Sequence, residues 1–238
     1  MLKETQAKTM LEMQAAMNAK VNPQWVEAAY PYLRAVVIEG AEAIEHHGWK
    51  WWKKQDCDLE QLQMELVDIW HFTLSHLLLE TGGDNTAALA NLLTLKNDSA
   101  TVTFDGQSIA INSLDAVSKL ELCIGLACAK RVSIPLFEAL LVDCEMNWNE
   151  LFCQYVGKNV LNFFRQDHGY KDGTYQKLWD GKEDNEHLVE AMAELDSDHT
   201  DFRNLLYKSL KERYQRATKQ EDDQIKQLQG APVVPRES

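Results

Sequence analysis

The sequence predicts an all-α protein, a helical bundle with one short β-hairpin inserted near residues 101–111. Three observations lead there. Apolar residues recur at helical spacing through most of the chain, prolines number only 5, and glycines stand near the ends of the periodic stretches rather than inside them.

Taken in order, the first helix covers about Thr5 to Ala19. Pro31 can open a second, because its fixed φ suits a first turn and its missing N–H is not needed there. That helix runs through VVIEGAEAIEHH to Gly48, with His46 and His47 suitably placed near its negative end. A third spans about Leu59 to Glu80 and stops at Gly82-Gly83; a fourth fits about Ala87 to Leu95. TVTFDGQSIAI then breaks the pattern, with β-formers on both sides of Asp105-Gly106, and reads as a hairpin inserted at the surface between helices. Further helices fit about Leu114 to Ala129, Leu136 to Arg165 and His187 to Thr218. Residues 1–219 are expected to form a single domain, and 220–238, ending GAPVVPRES, a flexible tail.

Composition narrows the function. With 238 residues and 45% hydrophobic content there is enough apolar material for a core. No run reaches the roughly 18 apolar residues needed to cross a bilayer, and MLKETQAKTM lacks a signal-peptide apolar region. A cytoplasmic protein with no membrane partner is expected. The 5 cysteines form no C-x-x-C pair, so neither a disulfide framework nor a zinc cage is indicated. A net charge of -13 argues against nucleic acid as a partner, since backbone binding needs a basic footprint. An anionic small molecule would need metal ions or a local cationic patch.

Acidic pairs supply a candidate metal site. Glu39 and Glu42 are spaced i, i+3, as are Glu65 and Asp68, so each pair projects from one helix face. Such pairs are usually solvated decoration. Here LQMELVDIWHFTLSHLLL is apolar almost all round, leaving a narrow strip of Gln61, Glu65, Asp68, Phe72 and Ser75. Adjacent carboxylates on a buried helix cost several kcal/mol each, roughly, unless a cation or proton neutralises them. Hard oxygen ligands favour Mg2+ or Mn2+ over zinc. A di-iron bundle would need two Glu-x-x-His pairs, and the nearest match is the single Asp68-Ile-Trp-His71. Neither His46-His47 nor His71 with His76 has the i, i+4 spacing of a helical zinc pair.

Other candidates are polar or aromatic. Lys158, Asn162 and Arg165 fall on one helical face, suited to an anion or to a solvated edge, with Tyr170-Lys171 following Gly169. Gln14 and Asn18, at i, i+4, could read a base edge or could be surface amides. GWKWWKK places Trp49, Trp51 and Trp52 among lysines, as a pocket wall or as core packing.

Together IEGAE, HHGWKWWKKQ, MELVDIWHF and GKNVLNFFRQDHGYKDGTY resemble the dimeric dUTPase family, the all-α deoxyuridine triphosphate diphosphatases of the all-α NTP pyrophosphatase superfamily, over roughly Gln14 to Leu188. The resemblance implies a fold of that type and hydrolysis of dUTP, and dUDP, to dUMP, by a homodimer. It implies two or more Mg2+ ions, replaceable by Mn2+, on Glu39, Glu42, Glu65 and Asp68, with Glu39 or Glu42 acting on the attacking water. It places Lys158, Arg165, Tyr170 and Lys171 near the phosphates, and Gln14, Asn18, Trp51, Phe72 and Asn162 around the deoxyuridine. The rivals are a pyrophosphatase preferring another nucleotide such as dCTP, and a helical scaffold whose acids are merely solvated.

Overall fold

The computed structural model describes residues 1–96, 100–196, 199 and 201–229, with side chains to residue 219. Among the described residues the regular structure is helical apart from two short antiparallel hairpins. Two compact units, Met1–Asn159 and Val160–Ser238, are described separately.

In the first unit, α1 (Glu4–Val21) is followed by the short α2 (Trp25–Ala28), α3 (Tyr32–His47), α4 (Leu59–Glu80) and α5 (Asn85–Leu95). Local chemistry sets these ends. Gly48 stops α3 at φ 86°, and the Asp58 carboxylate accepts from Gln61 N to start α4. Gly82 and Gly83, at φ 65° and 84°, follow its last turn, and Asp84 caps α5 by accepting from Thr86 N and Ala87 N. Both Asp58 and Asp84 thus satisfy amides that a helix start leaves without partners.

The hairpin follows as β1 (Thr101–Phe104) and β2 (Gln107–Ala110), with Phe104 opposite Gln107. Asp105 and Gly106 form the two-residue turn with φ 48° and 73°, the left-handed pair whose twist suits a tight hairpin. It is tied to the helices rather than lying loose on them. Val102 is buried in a small core with Ile111, Leu122, Leu126 and Leu136, and Phe104 packs against that core. Residues 97–99 of the segment leading into it lie outside the described residues.

Beyond the hairpin come α6 (Ala116–Cys128), capped by Asp115, and α7 (Ile134–Asp143), capped by Ser133 with proline in its first turn. The helix expected from Leu136 to Arg165 is therefore two. Cys144 to Asn147 separate α7 from α8 (Trp148–Asp167), with Glu145 at φ 54°. Apolar periodicity continues through such a break, so it did not register as a turn.

Aromatic packing fills the centre of this unit. Trp70 on α4 stacks on Phe137 with centroids 5.1 Å apart and meets Trp148 edge-on at 5.0 Å, while its indole N–H donates to Met10 Sδ. α3 packs on both α4 and α6. Gly40 lets α6 come close, since a Cβ there would lie 2.7 Å from Ile124 Cγ1.

The second unit holds the end of α8, a hairpin of β3 (Leu178–Trp179) and β4 (Lys182–Glu183), α9 (Asp184–Ala193) and α10 (Phe202–Gln229). Here too one expected helix, His187 to Thr218, is two. Its core is aromatic: Phe164 is surrounded by His168, Tyr175, Trp179, Tyr207 and Tyr214 at centroid distances of 3.9 to 6.3 Å. α10 runs to Gln229, into the segment expected to be a loose tail, whose residues 230–238 lie outside the described residues.

Gly40→Ala should lower thermal stability. The strain of overpacking, about 1–3 kcal/mol, outweighs the roughly 0.5–1 kcal/mol that alanine gains over glycine in a helix. In an Ile124→Ala background Gly40→Ala should cost less than in the parent in the same melting experiment, because the atom that is struck is gone.

Candidate functional site

α3 and α4 bring the acidic pairs together. One carboxylate oxygen each from Glu39, Glu42 and Glu65 lie within 4.8 Å of one another, with Glu65 buried, Glu39 half-buried and Glu42 exposed. Asp68 stands beside this trio rather than in it, paired with Lys158 Nζ at 3.0 Å. Helix periodicity explains both placements: the residues of each pair face one way, and the buried strip of α4 faces α3.

Electrostatics record the crowding. Burial is the main force raising the Glu39 carboxyl far above the ordinary carboxylate range, followed by the charges of Asp68 and Glu65. Glu65 is also raised, by burial and then Asp68, while its hydrogen bond with Glu39 and the Lys158 charge pull the other way. Two raised carboxyls joined by a hydrogen bond hold a proton between them when nothing more positive is present. His46 Nε2 lies 3.5 Å from Glu65 Oε1. His46 was read in the sequence as a helix-end residue and set aside as half of a zinc pair, yet it is i+4 from Glu42 and i+7 from Glu39, on the same face of α3.

The residues present suit a divalent cation. They offer several hard oxygens in a small space, with Lys158 at Asp68 and His46 beside Glu65. A sulfur ligand is absent from the cluster, which disfavours zinc.

A second constellation lies on α1 and α4. Gln14 and Asn18, both buried, contact each other at 3.1 Å. Gln14 Oε1 is 2.8 Å from His71 Nδ1 and 2.8 Å from Tyr155 Oη, and Ser75 Oγ is 3.1 Å from Asn18 Oδ1. His71 and Tyr155 stack with centroids 4.1 Å apart. Burial pushes the His71 imidazole down to about 4, so it is neutral at pH 7. These amides are therefore interior groups held by specific partners, and not surface decoration. Tyr155 was missed by sequence reasoning, since nothing in a residue 141 positions from Gln14 signals the contact.

Ser75 belongs to the same α4 strip as Glu65, Asp68 and Phe72, which joins the two constellations. From Asp68 to Ser75 is two helical turns, about 10 Å along the axis, a span on the scale of a nucleoside. Phe72 is half-buried between them in sequence.

Other expected site residues are placed differently. Trp51 is 86% exposed, and it packs edge-to-face with Trp49 and Trp52 in the turn after α3. That turn is held by Gln55 Oε1, which accepts from Trp49 N and Lys50 N, and by Glu45, which accepts from the Trp49 indole. Core packing, the alternative reading for Trp49 and Trp52, is thus excluded, since both of these rings are exposed as Trp51 is.

In the second unit Arg165 is engaged by Asp184: Nε donates to Oδ2 at 2.7 Å and Nη2 to Oδ1 at 2.8 Å, while Nη1 donates to Asn162 Oδ1 at 3.1 Å. Its guanidinium also lies 5.8 Å from the Tyr170 ring. Burial works to raise the fully buried Asp184 carboxyl, but hydrogen bonds from Arg165 and Tyr175 outweigh it and hold it below the usual range. Arg165 therefore clamps the end of α8 to the start of α9. Tyr170 and Lys171 are exposed in the turns that follow.

An all-α bundle with clustered carboxylates on two packed helices describes a metal-assisted phosphohydrolase of the nucleotide pyrophosphatase kind. The family model described as dUTPase matches residues 6–170, and the chain belongs to that family, the all-α dUTPases. It is a dUTP diphosphatase, a hydrolase that takes dUTP to dUMP, and its family depends on divalent metal. A search of curated proteins gave no match. Among the described residues no helix is long and apolar enough to cross a membrane.

Two measurements check the electrostatics. The His71 ring titrates near 6.5 in an unfolded chain and at about 4 in the fold. Its stabilising effect is complete above the higher value and is lost as pH falls from the one to the other. Glu39 and Glu65, raised in the fold, contribute with the opposite sign over the same range, so the His71 part is read by difference: from pH 7 to pH 4.5 the urea midpoint of His71→Gln, though lower overall, should gain on that of the parent. Asp184→Asn should cost roughly 3–5 kcal/mol in urea unfolding, as expected for a buried pair left with one charge.

Proposed function

We propose that this chain hydrolyses dUTP, and dUDP, to dUMP using Mg2+ held by Glu39, Glu42, Glu65 and Asp68. The observation that carries the reading is the trio of carboxylate oxygens from α3 and α4 within 4.8 Å, with Asp68 and Lys158 alongside. Two or more ions fit so many carboxylates, and Mn2+, with the same preference for oxygen, could replace Mg2+. When bound, such ions would neutralise the polyphosphate and make an attacking water more acidic.

The protein's own groups do the rest. Glu39, once a bound cation has displaced the proton it shares with Glu65, would be the proton acceptor for the attacking water, and Glu42, exposed at the mouth of the trio, would orient it. Asp68 is kept in place by the Lys158 ammonium, which is itself buried and so acts on the phosphates from behind Asp68. Gln14 and Asn18 read the base, Phe72 lies along the sugar and base, and exposed Trp51 supplies an outer wall. The spacing from Asp68 to Ser75 supports this order from phosphate to base. A homodimer and a cytoplasmic location are proposed on the family alone.

Pyrophosphate release from dUTP, dCTP, dTTP and UTP, and phosphate release from dUDP, with and without Mg2+, test the proposal. Activity should need the metal and favour the deoxyuridine nucleotides; equal rates on dCTP would favour the rival specificity. Glu42→Ala and Asp68→Ala should each reduce kcat at least about a hundredfold while far-ultraviolet circular dichroism stays helical. Near-normal turnover in either would remove that residue from the site.

A further inference from the structure

Two hydroxyls in the amide cluster each face two oxygens. Tyr155 Oη lies 2.9 Å from Met10 O and 2.8 Å from Gln14 Oε1, and Ser75 Oγ lies 3.0 Å from His71 O and 3.1 Å from Asn18 Oδ1. A hydroxyl has a single proton. With the amides so oriented, each hydroxyl is left with one contact in which two oxygens meet with no proton between them.

The two ends of a carboxamide have nearly the same shape, and the surrounding network decides which is which. Turning Gln14 and Asn18 end for end together removes both conflicts. Tyr155 then donates to Met10 O and accepts from Gln14 Nε2, whose other hydrogen goes to His71 Nδ1. Asn18 Nδ2 donates to Gln14 Oε1 and to Ser75 Oγ, and Ser75 donates to His71 O. All six contacts carry a proton, against four of the six before, while His71 Nε2, buried without a partner in either arrangement, changes from a lone pair to an N–H. In a buried cluster each satisfied contact counts, because an unsatisfied one costs the desolvation of the group.

One position changes its chemistry. The Asn18 atom that is buried without any partner becomes the carbonyl oxygen, an acceptor, since both N–H groups are now used. Met10 O and His71 O, as backbone acceptors, cannot adapt, so they dictate the direction of both hydroxyl protons.

We propose that Tyr155 and Ser75 are specificity-determining positioning residues that lock the Gln14–Asn18 pair so that Asn18 presents its carbonyl oxygen to the base. This inference rests on the dUTP reading above. An acceptor there selects a pyrimidine with a ring N–H, as in uracil. Cytosine offers a lone pair at its ring nitrogen, which would leave two acceptors facing each other in a buried site. Thymine shares the uracil N–H, so this contact does not separate those two.

The test has two arms on the full-length protein. In the first, the tautomer of His71 is read by nitrogen-15 NMR without nucleotide: the lock requires the ring proton on Nε2, and a proton on Nδ1 would overturn it. In the second, Tyr155→Phe and Ser75→Ala are assayed with dUTP, dCTP and dTTP in Mg2+. The dUTP-to-dCTP preference in kcat/KM should fall roughly tenfold, the equivalent of one hydrogen bond, mainly through KM, with the dUTP-to-dTTP preference unchanged. A general packing defect would lower all three alike, and an unchanged dUTP-to-dCTP preference in both variants would refute the specificity role. Absence of dUTP hydrolysis in the parent would defeat the reading beneath it, while the His71 tautomer still decides the amide orientation.

Discussion

Like charges forced close together between α3 and α4 are the constraint on which the first unit turns. Glu39, Glu42 and Glu65 place oxygens within 4.8 Å, and burial and mutual repulsion drive Glu39 and Glu65 toward the protonated form. Carboxylates repel and resist desolvation, so the apolar packing of the two helices must hold them there. Leu33 and Val36 of α3, and Leu62, Leu66 and Ile69 of α4, are all buried. Gly40, between the two α3 acids, lets α6 press from the other side. A divalent cation would relieve what the packing imposes, which is why this arrangement is the candidate metal site.

Polar groups elsewhere in that unit are treated oppositely. Gln14, Asn18, His71, Ser75 and Tyr155 are buried, but they answer most of one another's hydrogen bonds, leaving one Asn18 amide atom and His71 Nε2 without partners, and need no external charge. Such a network is stiff, because each member limits the orientation of the next. A pre-oriented amide can tell donor from acceptor in a base, whereas a free one would adapt to either. Metal ions on the acidic cluster would suit any polyphosphate, so under the proposed function selectivity falls to groups like these.

The second unit uses a third solution, a charge pair sealed inside. Asp184 is fully buried and holds Arg165 through two hydrogen bonds, with Tyr175 adding another. A guanidinium fork matches a carboxylate in shape, so it suits a junction between helix ends. Around Phe164 the aromatic rings and this pair support the same corner. In sequence, Arg165 looked like a ligand for an external anion; its partner, 19 residues away, was invisible to a search along one helix face.

Periodicity and local chemistry were enough to read the helical class, the bounds of α4 at Leu59 and Glu80, the Asp105-Gly106 turn and the pairing of acids on each helix face. Those features depend on residues within a few positions of one another. Breaks inside long apolar stretches, at Cys144–Asn147 and between α9 and α10, escaped because a continuing period hides a change of axis. Tertiary structure alone decided that Asp68 leans on Lys158 while the other three acids cluster. It alone showed that Tyr155 reaches Gln14 and that Asp184 claims Arg165. Spacing along a helix determines which way a side chain faces, but the group it meets belongs to a segment whose position only the packing of the whole unit sets.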